Sequence, residues 1–224
     1  MALARGVSVI AIDGPVAAGK TAVGRELARN LGFAYHDTGI MYRAITWLAL
    51  HSGIPVEDQT SLGELARANP VGLVGDEGDR VSVSGHSLGP ELRDSSVEEN
   101  VSVVSKAPPV RRELVAQQRR IASQGKIVMI GRDIGTVVLP DADLKVYLTA
   151  SAENRAQRRW LEMRDRGQPV ELETVMSQTL ARDEIDSNRE DSPLKPARDA
   201  WELNTDGLDI EQVVRKIIAR CEGR

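Results

Sequence analysis

Residues 7–12, Val-Ser-Val-Ile-Ala-Ile, form a short, mostly apolar, β-branched run that stops at Asp13-Gly14-Pro15. A run of that kind predicts a strand buried in a parallel sheet. From Thr21 the spacing changes: Val23, Leu27 and Leu31 recur at i, i+4 and i+8, and Gly32 supplies a stop. That is the pattern of a helix with one apolar face. Residues 33–36 predict a second short strand and 38–51 a second helix. Strand, helix and strand in that order point to an α/β fold around a parallel sheet. The rhythm breaks between about 70 and 93. There, three strand-like stretches (71–74, 80–83 and near Ser87-Leu88) are separated by Gly/Asp turns, which predicts a small antiparallel insert. The first rhythm returns with a helix over 110–123 and strands over 126–130 and 144–148. An Arg-rich helix over 152–166, a helix over 173–188, a last strand over 201–204 and a closing helix over 210–220 complete the chain.

Composition narrows the class. At 224 residues the chain fits a single domain with small insertions. Hydrophobic residues at 41% and charged residues at 28% are globular values, and with aromatics at only 3% the core must rest on Val, Leu, Ile and Ala. A net charge of −4 argues against nucleic acid as the main partner, although local arginine clusters can bind phosphate inside an acidic protein. The single cysteine, Cys221, forms neither an internal disulfide nor a cysteine metal cluster and reads as a small apolar residue of the last helix. No apolar run approaches the ~18 residues of a membrane span. Residues 1–6 are too short and too weakly apolar for a signal peptide. A cytoplasmic protein with no membrane partner is expected.

The loop after the first strand carries the strongest motif. Gly14-Pro15-Val16-Ala17-Ala18-Gly19-Lys20-Thr21 matches G-x-x-x-x-G-K-[ST], a chance event of about one in a hundred for such a composition. Glycines let the backbone curl so that its N–H groups face phosphate oxygens, and the following helix adds its N-terminal partial charge. Residues 14–22, ending at Ala22, are the expected ATP-binding loop. Lys20 would reach the β- and γ-phosphates and the Thr21 hydroxyl would face Mg²⁺. The alternative is a glycine-rich βα turn with no ligand. A phosphate loop alone does not separate kinase, GTPase and motor ATPase. There is no N-K-x-D element for guanine, and arginines collect away from the loop, often in pairs. Two phosphorylated substrates held in line would need such planar, bidentate cations.

Four stretches carry a resemblance. Residues 10–15 (IAIDGP), 36–43 (HDTGIMYR), 131–138 (GRDIGTVV) and 182–189 (RDEIDSNR) look like the bacterial cytidylate kinase family, in order along nearly the whole chain. The third stretch is the most family-specific and the phosphate loop the least. The resemblance implies a three-layer P-loop kinase fold with a central parallel sheet. It also implies an antiparallel monophosphate-binding insert at 66–99 and a helical lid at 152–170. The implied substrates are ATP with Mg²⁺ and CMP or dCMP, and the expected state is a monomer.

The family gives Thr38 and Arg43 to the phosphate of CMP. On spacing alone, Thr38 is equally an N-cap and Arg43 a surface charge. By resemblance Arg132 binds the same phosphate and Asp133 faces the base, while a local Arg–Asp pair in a turn is the plain alternative. The glycines at 131 and 135 suggest close approach of a ligand to the backbone. Arg182, Asp186 and Arg189 fall at i, i+4 and i+7 on one helical face that Val175 and Thr179 extend upstream. A solvated Arg182–Asp186 pair explains two of them as well. The family places Arg182 and Asp186 near the nucleoside and Arg189 near the phosphates. Residues 101–111, with Ser102 and Arg111, resemble its cytosine-reading segment. Arg155, Arg158 and Arg159 lie on the lid helix, with a solvated basic face as the rival reading. Arg158 joins Lys20, Arg132 and Arg189 as the candidate for acting on the transferring group. Adenine is expected near 204–208.

One departure stands out. The family commonly has an acidic residue just before Gly-Arg-Asp, and here that position is Ile130. Asp37 and Asp13, both at expected strand ends, are the candidates to take over. A kinase for UMP, dTMP or a non-nucleotide acceptor, or a regulatory module that only binds nucleotide, are the rival functions.

Overall fold

The computed structural model describes residues 6–75, 80–168 and 170–223. In chain order its first elements are β1 (Val9–Asp13), α1 (Lys20–Leu31), β2 (Ala34–Asp37), α2 (Thr38–His51) and α3 (Gln59–Ala68). Then come β3 (Gly72–Val74), β4 (Arg80–Val83), β5 (His86–Leu88), α4 (Ser95–Val104) and α5 (Pro108–Ala122). β6 (Ile127–Ile130), β7 (Leu144–Thr149), α6 (Ala152–Asp165), α7 (Leu172–Ser187), β8 (Trp201–Asn204) and α8 (Ile210–Cys221) follow.

Five strands form one sheet in the order β2-β6-β1-β7-β8, every neighbouring pair parallel. Alternation along β1 assigns its faces. Ile10 and Ile12 pack with Val128, Ile130, Val146 and Leu148 against Val23 and Leu27 of α1 and Val213 and Ile217 of α8. Ala11 and Met129 face the other way, onto Val115 and Ala122 of α5 and onto Ile134 and Val138. The result is helix, sheet and helix in three layers. β3, β4 and β5 form the separate antiparallel sheet. Its buried residues Val81, Val83 and Leu88 share a third cluster with Met41 and Ile45 of α2, Leu62 of α3, Val101 of α4 and Leu114 of α5.

The structure adds elements that the pattern did not predict. α3 offers only Leu62, Gly63 and Ala66 as buried positions, and starts on an Asp58 cap that accepts from Ser61 N at 3.1 Å. α4 buries Val97, Val101 and Val104, at i, i+4 and i+7. α5 begins two residues earlier than expected because proline suits the first helical turn. A π-helical turn over Ile134–Val138 follows β6. Residues 76–79 of the turn expected between 74 and 80, residue 169 of the expected lid and residues 1–5 of the N-terminal stretch lie outside the described residues. Among the described residues no helix is long and apolar enough to cross a membrane.

Candidate active site

The carboxyl ends of β1, β2 and β6 meet at one crevice, where open parallel sheets place ligands. The loop after β1 closes one end of it. Gly14 has φ +150° and a Cβ there would collide with the carbonyl of Leu148, so β7 can lie this close only to glycine. Gly19 turns at φ 93° and α1 begins at Lys20, leaving its first amides pointing out of the loop. Lys20 is buried, and its Nζ donates to the carbonyls of Gly14 and Pro15, both at 2.7 Å. Burial, and then the Arg132 charge, hold its pKa well below the ordinary 10.5, with Asp37 and Asp13 opposing. Thr21 Oγ1 donates to Asp37 Oδ2 at 3.4 Å. Asp13 accepts from the backbone N–H of Ile134 (2.8 Å) and Gly135 (2.7 Å). Burial nevertheless pushes its carboxyl up to about 6.

At the start of α2 the cap is Asp37, whose Oδ1 accepts from Gly39 N at 2.9 Å. Thr38 is therefore not the cap. It is the first helical residue, and its hydroxyl donates to the Ile130 carbonyl at 2.9 Å. That hydroxyl and Ile134 fill the space a Cβ on Gly131 would need, so this glycine admits the protein's own side chains. Ile130 itself packs against Gly24 of α1 and belongs to the apolar cluster under the sheet.

The arginine–carboxylate pairing differs from both local alternatives. Arg132 bonds Asp186 at 2.8 Å across 54 residues of chain, and Asp186 also accepts from Arg189. Asp133 pairs with the buried Arg111, which donates to Ser105 O at 3.3 Å and lies over the Tyr42 ring at 5.7 Å. Arg182 makes no ion pair among the described residues, so the alternative reading of a solvated i,i+4 pair with Asp186 does not hold. α7 ends at Ser187, which puts Arg189 beyond the helix and off the predicted stripe. It reaches back to donate to Ser105 Oγ at 3.3 Å. Burial works to raise the Asp186 pKa, but the Arg132 and Arg189 charges outweigh it and hold the carboxyl below its ordinary range. Burial, then the nearby Arg132 and Arg43, bring Arg182 down to about 10.

Three arginines of α6 diverge. Arg155 donates to Val16 O of the loop at 3.2 Å and pairs with Asp183 at 2.6 Å. Arg158 donates to Thr205 Oγ1 (3.0 Å) and O (2.9 Å), on the flank of the loop near Gly19. Arg159 faces the crevice and pairs with Glu98 of α4, whose other oxygen is 3.9 Å from Arg43.

Together these groups line a cavity of about 200 Å³. The loop residues Val16, Ala17, Gly19, Lys20, Thr21 and Ala22 form one end. Thr38, Arg43, Arg132, Asp133, Arg182, Asp186 and Arg189 also line it, with Arg111 at the buried end. Gly14, Pro15 and Ala18 shape the loop from behind. Ser102 and Arg158 lie outside the lining. Ser102 sits one helical turn before Ser105, whose Oγ donates to its carbonyl at 3.2 Å. The cavity also takes in Ser105, Tyr42, Asp37, Arg93 and Arg159, of which Ser105 and Arg93 had not been singled out. The spacing of Val97, Val101 and Val104 was the available signal for Ser105, since it continues that helix.

The chain is similar to known proteins over nearly its whole length. The family described as cytidylate kinase matches residues 10–222. A cytidylate kinase of Streptococcus thermophilus (strain CNRZ 1066) is 47% identical over 210 residues, covering 93% of each chain. One from Desulfitobacterium hafniense (strain Y51) is 46% identical, over 94% of this chain and 90% of its own. A bifunctional pantoate ligase/cytidylate kinase of Trichodesmium erythraeum (strain IMS101) is 43% identical over 94% of this chain and 40% of its own length. Among solved structures, an uncharacterized protein from Eubacterium ventriosum ATCC 27560 superposes with a TM-score of 0.52 at 12% identity, over 97% of this chain and 99% of that one. That last likeness concerns the fold alone.

Proposed function

The chain belongs to the cytidylate kinase family, and on that premise we propose that it moves the γ-phosphoryl group of ATP onto CMP or dCMP. The observation that carries the reading is a single cavity with a phosphate loop at one end and a buried Arg111–Asp133 pair at the other. Arg43, Arg132, Arg182 and Arg189 lie between them.

At the donor end, the loop amides and Lys20 bind the β- and γ-phosphates, and Arg158 flanks the loop. Among the described residues no group of three or more His, Cys, Asp or Glu could hold a metal ion alone. Mg²⁺ fits this, because it typically enters on a nucleotide and takes one or two protein oxygens. Thr21 would hold it, with Asp37 beside Thr21 supplying the carboxylate that Ile130 does not. When bound, the ion would supply positive charge that offsets the charge of the donor phosphates. Arg43, Arg132 and Arg189 orient the acceptor phosphate, and Thr38 stands at the start of α2 with them. An acceptor oxygen with a second pKa near 6 is already ionised at neutral pH, so these residues position and neutralise without a general base. The reaction belongs to the cytoplasm, and one chain supplies every group it uses.

Base choice follows from the buried pair. Asp133 can accept from the cytosine N4 amino group, and Arg111 can donate to N3 or O2. Uracil reverses the first and opposes the second with its N3–H. Two such mismatches predict kcat/KM for CMP above that for UMP by about 10² or more. A coupled ADP-release assay over CMP, dCMP, UMP and dTMP checks this. Equal rates with CMP and UMP would overturn the base assignment.

A further inference from the structure

A second, smaller cavity of about 30 Å³ lies behind Arg43, between α1, α2 and the turn that leads from β5 into α4. Arg25 of α1, Arg43 of α2 and Arg93 of the turn converge on it, with Asp37, Ile40 and Leu92 completing the wall. The geometry points to a second oxyanion site here, for a free ion of the phosphate or sulfate type, separate from both phosphate positions of the main cleft.

Three guanidinium groups from three elements face one small space. Arg25 and Arg93 make no ion pair among the described residues, and Glu98 approaches Arg43 only to 3.9 Å. The Nε atoms of Arg25 and Arg43 are both buried without an acceptor. Buried cationic donors in that condition are costly, and an oxyanion is the ligand that relieves several at once. Asp37, the one carboxylate in the wall, is already committed to Gly39 N and Thr21 Oγ1. Arg25 lies over the Tyr35 ring, 5.6 Å from its centroid, which fixes the plane of its fork. Ile40 and Leu92 make the surroundings less polar, which strengthens each charge-assisted bond. Burial lowers the Arg43 pKa against the opposing Glu98 and Asp37 charges, and the adjacent Arg93 and Arg132 lower it further. Such an ion would join α1 to the turn at Gly89–Arg93 through Arg43, which like Asp37 and Arg93 lines both cavities.

The test is a crystal of the full chain soaked in selenate, with inorganic phosphate titrated in solution by thermal shift. We expect an anomalous peak between Arg25, Arg43 and Arg93 that persists when CMP is added. In solution, Arg25→Gln should weaken the phosphate response about tenfold or more and leave kcat with CMP unchanged, and Arg93→Gln should weaken the phosphate response to a similar extent. Arg132→Gln should leave a phosphate response in place. The proposal falls if selenate appears only in the main cleft or nowhere, since phosphate then has no second site. It falls equally if saturating CMP displaces the peak, because the ligand is then a nucleotide phosphate. A phosphate response lost in Arg132→Gln and intact in Arg25→Gln would also overturn it.

Discussion

Lys20 and Ala17 sit three residues apart in the same loop and are constrained by different physics. Lys20 is held by two carbonyl oxygens of the loop itself, so its ammonium is already aimed where donor phosphates would lie. On the proposed role, replacing it with Met removes a charge from the transferring group, and turnover with CMP should fall by about 10³. Circular dichroism should stay unchanged, because the Lys20 ammonium bonds only loop carbonyls. Turnover within a few-fold of the parent would separate this loop from the chemistry. Ala17 instead carries φ +57°, a left-handed conformation that costs an L residue with a Cβ about 1–2 kcal/mol. Ala17→Gly removes that strain and adds back about 0.4–1 kcal/mol of unfolded-chain entropy. The net expectation is a gain of about 0.5 kcal/mol, read as a higher urea midpoint at unchanged slope. A lower midpoint would show that the backbone here is not strained.

At the scale of elements, helix α6 is tied at its start and along its length, where Arg155 and Arg158 hold Val16, Asp183 and Thr205. Its start is fixed by the Ser151 cap and by Asp206, which accepts from Ser151 N at 3.0 Å and Asn154 Nδ2 at 2.7 Å. Its middle is held to α4 by the pair between Arg159 and the partly buried Glu98. Charge-assisted bonds of this kind contribute about 1.5–3 kcal/mol. Glu98→Gln should therefore speed amide exchange over residues 152–165 about tenfold, leaving α8 unchanged. Unaltered exchange in α6 would mean that α4 does not restrain it. The same two helices show what was legible in sequence. The phosphate loop, the five parallel strands and the antiparallel insert each have a period or a motif of their own, so they could be read locally. α4 hides its helical spacing inside a valine-rich stretch that also suits a strand, and with it Ser105 was lost. The pairing of Arg132 with Asp186, and of Arg111 with Asp133, joins residues 54 and 22 positions apart. Chain spacing favours neighbours, and only the fold brings α7 and α5 to the residues that follow β6.

For the molecule as a whole, two buried groups should make stability depend on pH in opposite directions. Asp13 titrates near 6 in the fold against an ordinary 3.8, because burial disfavours its carboxylate. The folded chain then keeps a proton that the unfolded chain releases. Its contribution is fully present below pH 3.8 and is lost as pH rises towards 6. His36, buried in the core beside Met41, titrates near 4 against an ordinary 6.5, again through burial. The unfolded chain takes up that proton first, so the His36 contribution is full above pH 6.5 and is lost as pH falls towards 4. Each shift of rather more than two pKa units is worth about 3 kcal/mol. The two windows nearly coincide, so in the parent these two slopes offset one another between pH 4 and 6.5. Asp13→Asn should then gain stability with rising pH across this window, and His36→Gln should lose it, whatever constant penalty each carries. Urea unfolding of the three chains at half-unit steps of pH checks this, and parallel curves for all three would rule out both titrations as sources of pH dependence.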